Sequence, residues 1–207
     1  SENRAAAVCV LKVVSTLLEP AAFSRHVSPM PKESHVTYWR YWQLNGMPFV
    51  GDHSQPLFRG ATVEEAVARI EFLVTNRRGL GMLVGSSGVG KSSVLRHCAN
   101  HPPASLEIPN VSATRLSVLG LQPGELLAEL ATRWTGAKRG QSPSAAWSQI
   151  CDYFRGVERE RLQTALFIDD AESCSSAVEM DLARLLAMSF PLTIIVAISS
   201  EAIDSIS

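Results

Sequence analysis

Three features of this sequence predict an α/β fold with a mainly parallel sheet held between layers of helix. Apolar, strand-like runs at residues 79–84, 164–168 and 192–198 alternate with stretches of helical periodicity. A glycine-rich segment, residues 85–92, joins the first run to a helix. The second run ends in two acids, Asp169 and Asp170. Runs of this kind without strict alternation are those of strands buried on both faces, as parallel strands are.

Composition agrees. The 207 residues are 46% hydrophobic and 19% charged, which suits one globular α/β domain with a small appendage. The formal net charge of -1 gives no electrostatic footprint for nucleic acid or an anionic membrane, and leaves a local basic patch as the remaining route to nucleic acid. Cys9, Cys98, Cys151 and Cys174 form no CxxC pair and have no histidine at ligand spacing, so neither zinc nor a disulfide framework is expected. Reduced, mostly buried thiols fit a cytoplasmic chain.

From the N-terminus, residues 5–18 are apolar but broken by Lys12 and Ser15, too short to span a bilayer and without a clean signal-cleavage site. They are predicted to form a helix that packs on the domain or a partner. Pro20, Pro29 and Pro31 mark residues 19–34 as a linker. The expected division is therefore an N-terminal helix and linker over 1–35 and a core over 36–207. The aromatic cluster 38–42 is expected to pack rather than to stack on a base. A helix is predicted over 62–76, with Thr62 as cap, Glu65 completing a capping box, and Val63, Ala66, Val67, Ile70 and Leu73 at helical spacing. Ser105 to Ile108 reads as a weaker strand. Helices follow over 124–134, 144–161 with Ser144 as cap, and 176–188.

The segment Gly85-Ser86-Ser87-Gly88-Val89-Gly90-Lys91-Ser92 fits G-x-x-x-x-G-K-[ST] at every fixed position, and it lies between a strand and a helix as a P-loop does. A triphosphate needs many converging donors, and glycines let backbone N–H groups turn inward to supply them. The helix N-terminus then favours the anion. Residues 85–93, including Ser93, are the expected nucleotide-binding set, with Lys91 on the β- and γ-phosphates and Ser92 on Mg2+. The acids follow the apolar strand as in a Walker B element. Asp169 is the expected second metal ligand, and Asp170 the residue that orients or deprotonates the attacking water. Glu172 is an alternative acid, and Ser199, after the most apolar strand, a candidate γ-phosphate sensor. The fold class expected is a P-loop NTPase with a three-layer α/β/α sandwich.

These residues resemble the ExeA-type (general secretion pathway protein A-like) branch of AAA+ ATPases, related to transposition helper ATPases. Trp42, Pro48-Phe49 and the helix from Thr62 resemble its lead-in, 85–92 its Walker A, 166–172 its Walker B, and 192–200 its sensor-1 strand. Two departures stand out. Asp170 occupies the place of the family's catalytic Glu and is one methylene shorter. The family's last core strand, lid and second sensor would fall beyond Ser207, so a core without its C-terminal lid is expected, either a fragment or a reduced relative. An arginine finger, worth ~10³–10⁵ in rate, is not recognisable either.

Three functions fit. The first is an AAA+-type ATPase that couples Mg-dependent ATP hydrolysis to action on a protein or protein–DNA partner, acting as a homo-oligomer. The second is a switch that holds ATP or ADP with little turnover, which Asp170 and the missing lid favour. The third, a small-molecule kinase, needs a lid with arginines, and only the loop around Arg133, Lys138 and Arg139 offers one. A GTPase lacks its N-K-x-D base-reading tetrad here.

Overall fold

In the computed structural model, β1 (Val8–Lys12) leads a parallel sheet whose remaining strands alternate with helices. The structure describes residues 8–12 (backbone only), 57, 60–102 and 110–204. After β1 come α1 (Ala61–Thr75), β2 (Leu80–Gly85), α2 (Lys91–Asn100), β3 (Val111–Ser117), α3 (Glu125–Thr135) and α4 (Pro143–Arg159). The chain then forms β4 (Gln163–Asp169), a 3₁₀ turn (Ala171–Ser173), α5 (Ser176–Ala187), β5 (Leu192–Ser199) and the short α6 (Ser200–Asp204). The chain divides into two compact units, Ser1–Ser15 with Phe58–Ser207, and Thr16–Leu57. Of the described residues, all but Leu57 belong to the first.

The strand order is β1-β2-β5-β4-β3, and every pairing is parallel. All carboxyl ends therefore meet at one edge. Parallel strands need both faces covered, and side-chain alternation sorts the two faces cleanly. Leu116, Leu166, Ile168 and Ile194 pack with α3, α4 and α5. Leu83, Ala165, Phe167, Ile195 and Ala197 pack with α1 and α2. The result is the expected three-layer sandwich. All seven residues of β4 are buried, including Gln163, whose Nε2 donates to Thr193 Oγ1 at 3.1 Å while its Oε1 has no partner, and Thr164, whose Oγ1 meets Tyr153 Oη at 3.2 Å. At Gly81 a Cβ would come within 2.5 Å of Leu73 Cδ1 and 2.8 Å of Ile195 Cδ1, so these two side chains fill the space left by the glycine between α1 and the sheet.

Several expectations are corrected. Residues 8–12 are a strand paired with β2 (Val8↔Leu80 to Lys12↔Val84), where a helix was expected. A short apolar run carries no decisive period, and β-branched Val8 and Val10 favour the strand. Helix α1 is entered from Gly60, which makes no side-chain cap bond, rather than capped by Thr62. Glu65, expected in a capping box, instead pairs with Arg69 one turn on. Helix α4 is capped by Ser142, whose Oγ accepts from Ala145 N at 3.3 Å, with Pro143 at the first helical position. Ser144 lies inside that helix. Strand β3 was not anticipated, and the predicted strand at Ser105 to Ile108 lies outside the described residues. So do the aromatic cluster, Trp42, Pro48-Phe49 and the expected boundary between 35 and 36.

Among the described residues no helix is long and apolar enough to cross a membrane. Cys98, Cys151 and Cys174 are free thiols. Burial, with Glu71 nearby, pushes the Cys98 thiol up to about 12, so it packs as a small apolar side chain.

Candidate nucleotide-binding site

Strand β2 delivers the glycine-rich loop to the carboxyl edge of the sheet, and α2 starts at its end. Gly88 and Gly90 hold φ of 79° and 97°, a left-handed backbone that glycine adopts without strain. No heavy atom would lie within 4 Å of a Cβ at either position, so the requirement is conformational and not one of space. Ser86, Ser87 and Gly88 are exposed. Gly90 supplies the N-cap of α2 with no side-chain cap bond. The first N–H groups of a helix lack intrahelical partners, so this end offers bare donors and the positive end of the helix dipole to an anion. Lys91 Nζ donates to the carbonyls of Gly85 at 2.8 Å and Ser86 at 3.0 Å, which folds the ammonium back over the loop.

The acids stand at the end of β4, which β5 separates from β2. Asp169 ends β4 on the face that packs against α2, the parity shared by Ala165 and Phe167. Its side chain is only 5% exposed. A carboxylate that deep requires partners. Ser92 donates its hydroxyl to Asp169 Oδ1 at 3.0 Å, and Arg115 Nη2 donates to Oδ2 at 2.6 Å. The adjacent Asp170 N–H donates to Oδ1 at 3.3 Å. Asp170 itself is left-handed, with φ of 57°, and its Oδ2 accepts from Ser117 Oγ at 2.6 Å. Strand β3 pairs Ser117 with Asp169 and Arg115 with Phe167, which puts both side chains on the acids' side of the sheet.

The structure thus brings Lys91, Ser92, Asp169 and Asp170 to one edge. Ser199 is there too, paired through the backbone with Gly85, but its Oγ accepts from Ala202 N at 3.2 Å and so caps α6. Glu172 is exposed on the 3₁₀ turn. Arg133 is on α3, bonded to Glu129 at 2.9 Å, and Arg139 reaches the same Glu129 at 3.6 Å, so these two arginines brace a helix. Arg115 and Ser117 were missed from sequence. Their strand, Val-Ser-Ala-Thr-Arg-Leu-Ser, has only a weak alternation of small residues as its signal.

Comparison with known proteins follows the same outline. The AAA domain family matches residues 74–205, from the end of α1 through the loop, both acids and α6. The chain belongs to the AAA domain family. No curated protein matches it. Among solved structures, Cdc6p from Pyrobaculum aerophilum superposes with a TM-score of 0.53 at 17% identity, covering 72% of this chain and 42% of that one. The ORC2 protein of Aeropyrum pernix, in ADPNP–ADP complexes, gives 0.51 at 15% identity, covering 72% and 44%. At such identities the likeness is one of fold, and the chain spans less than half the length of either protein. An AAA domain implies a nucleotide with Mg2+, and the donor set here fits that pair. A serine hydroxyl and a carboxylate, both hard oxygens, already meet beside the loop. Mg2+ is commonly held by one or two protein oxygens, with phosphates and water completing its shell. The described residues hold no cluster of three or more His, Cys, Asp or Glu.

Proposed function

We propose that this AAA domain binds ATP with Mg2+ across the loop at 85–93 and hydrolyses it to drive work on a protein or protein–DNA partner, as a homo-oligomer in the cytoplasm. The observation that carries the proposal is the 3.0 Å contact between Ser92, at the start of the phosphate-facing helix, and Asp169, at the tip of β4. It brings a P-loop and a Walker-B-like acid to one point from positions far apart in the chain. Likeness of fold to an ORC2 protein solved with nucleotides supports the choice of ligand. The branch we favour is the ExeA-type, on the order of the motifs.

In this proposal Lys91 leaves the Gly85 and Ser86 carbonyls for the β- and γ-phosphates, whose charge it balances. Ser92 and Asp169 hold the metal, which when bound neutralises charge on the phosphate oxygens. Water attacks the γ-phosphorus in line, Asp170 takes its proton, and the bond to the β,γ-bridging oxygen breaks to leave ADP and phosphate. Ser199, on its strand end beside Gly85, is placed to sense the γ-phosphate if it releases the α6 cap.

A second function, a slow switch, is favoured by one contact. Ser117 holds the Asp170 carboxylate at 2.6 Å, on a side chain already shorter than Glu, and so occupies the base. Steady-state phosphate release from Mg-ATP, measured for the chain and for Lys91→Ala, separates the two. Turnover that falls by ~10²-fold or more in the variant establishes hydrolysis at this site. Tight nucleotide binding without turnover in the unaltered chain leaves the switch.

A further inference from the structure

A cavity of about 420 Å³ lies beside β3, away from the glycine loop, and is walled by Arg96, Asn100, Thr114, Arg115 and Arg133. Among the described residues its remaining lining is two alanines, Ala99 and Ala113. Three elements contribute. Arg96 and Asn100 come from the last turns of α2, Thr114 and Arg115 from β3, and Arg133 from α3. Strand β3 is the last in the sheet order, so side chains from both of its faces reach the cavity: Arg115 from the α2 side, Thr114 from the α3 side, where it accepts from Trp134 Nε1 at 3.0 Å.

The charge is one-sided. Among the described residues, three guanidinium groups line the cavity and no carboxylate does. Two of the three reach acids that stand outside this lining. Arg115 reaches Asp169 through Nη2, and Arg133 reaches Glu129 through Nε. Arg133 is fixed further by an Nη1 bond to the Arg115 carbonyl at 3.2 Å. Arg96 donates to Ser93 Oγ at 3.4 Å, which anchors it to the first turn of α2. Arg115 Nε is buried and makes no hydrogen bond, so a ligand would meet it only if the side chain shifts. Clustered guanidinium forks with amide and hydroxyl groups between them match the geometry of phosphate oxygens. The described lining holds no ring on which a nucleobase could stack.

We infer that this cavity is a second phosphate site, distinct from the glycine loop, and that it takes a di- or polyphosphate group. Its size is that of a small-molecule site and exceeds what one phosphate fills. The phosphate can come from a small molecule or from a nucleic-acid backbone. Because Arg115 both lines the cavity and holds Asp169, occupancy there is felt at the carboxylate. The nucleotide proposal uses neither Arg96 nor Arg133, so failure of this site leaves it standing.

The test is calorimetric titration of inorganic pyrophosphate into the full chain carrying Lys91→Ala, which weakens the loop as a competing site. Saturable binding is expected, and adding Arg96→Gln with Arg133→Gln weakens it by about tenfold or more, since charge-assisted contacts are lost. Replacing the same pair by Lys restores part of the affinity, which a purely structural role would not predict. In parallel, the Arg115 Nε–H resonance shifts on addition of pyrophosphate. Competition by a single-stranded oligonucleotide assigns the phosphate to a nucleic-acid backbone, and no competition assigns it to a small molecule. Absence of pyrophosphate binding in Lys91→Ala, or binding unchanged by Arg96→Gln with Arg133→Gln in a chain of unaltered melting temperature, overturns the inference.

Discussion

The loop side and the acid side of the candidate site are built on different physics. On the loop side the candidate binding groups are backbone, carried by glycines at φ of 79° and 97° in a loop whose serines face solvent. Neither glycine has an atom near its missing Cβ. On the other side the working groups are side chains from different strands and a helix, locked around a carboxylate that is 5% exposed. A loop that stands clear of the core can change without unfolding the domain. A buried charge cannot, because its partners hold the fold and the function together. Binding and stability should therefore separate on the first side and travel together on the second.

Gly90→Val gives the largest effect and probes the separable side. Valine is strained at φ of 97°, so the loop must abandon the conformation that turns its N–H groups inward. Losing several such donors should weaken nucleotide by ~100-fold or more. Because nothing packs on Gly90, the melting temperature should move by no more than ~2 °C. Titration of a fluorescent nucleotide alongside thermal unfolding checks both numbers. A melting temperature that drops with affinity would erase the distinction drawn between the two sides.

Arg115→Gln comes next and probes the coupled side. It leaves Asp169 with Ser92 and a backbone N–H but no cation. Breaking a fully buried pair is costly, yet the Arg115 side chain is 34% exposed, and water will screen part of the loss. The expected cost is about 1–2 kcal/mol in urea unfolding. Asp169→Asn removes the charge that Arg115 answers. The double variant Arg115→Gln/Asp169→Asn should therefore be more stable than the sum of the single losses predicts. Strict additivity would mean that the 2.6 Å contact contributes nothing.

The same contrast explains how much the sequence disclosed. The loop is a contiguous string whose spacing carries the proposed mechanism, so eight letters were enough to single out Lys91 and Ser92, which the structure places beside the loop and the acids. Asp169 was legible because an apolar strand has to end somewhere and its acids end it. Arg115 and Ser117 were not, because they reach the acids through the pairing of β3 with β4, a register no local pattern states. Their strand was itself hidden, with small and polar residues at Ser112, Ala113 and Thr114 in place of an apolar run. At the chain's start the failure was one of period, since five residues such as 8–12 suit a strand or a helix until β2 is there to pair with them. Caps at Gly60 and Ser142 differed from expectation by two residues each, because the residue that caps is set by where the backbone enters the helix.

Ser117→Ala gives the smallest effect and divides the two proposed functions. Asp170 sits at φ of 57°, a conformation tolerable for Asp but not preferred, and the bond from Ser117 helps to hold its carboxylate there. If Asp170 takes a proton from water, losing one hydrogen bond should disturb its aim by about 0.5–1.5 kcal/mol, a roughly 2–10-fold fall in kcat. ATP affinity should not change, since neither Ser117 nor Asp170 belongs to the loop. In an Asp170→Asn background, itself expected to lose ~10²–10⁴ of the rate, Ser117→Ala should then add nothing, because the two act as one unit. If Ser117→Ala instead raises kcat, the serine was restraining the base, and the domain is a switch whose hydrolysis is held back by a single hydroxyl.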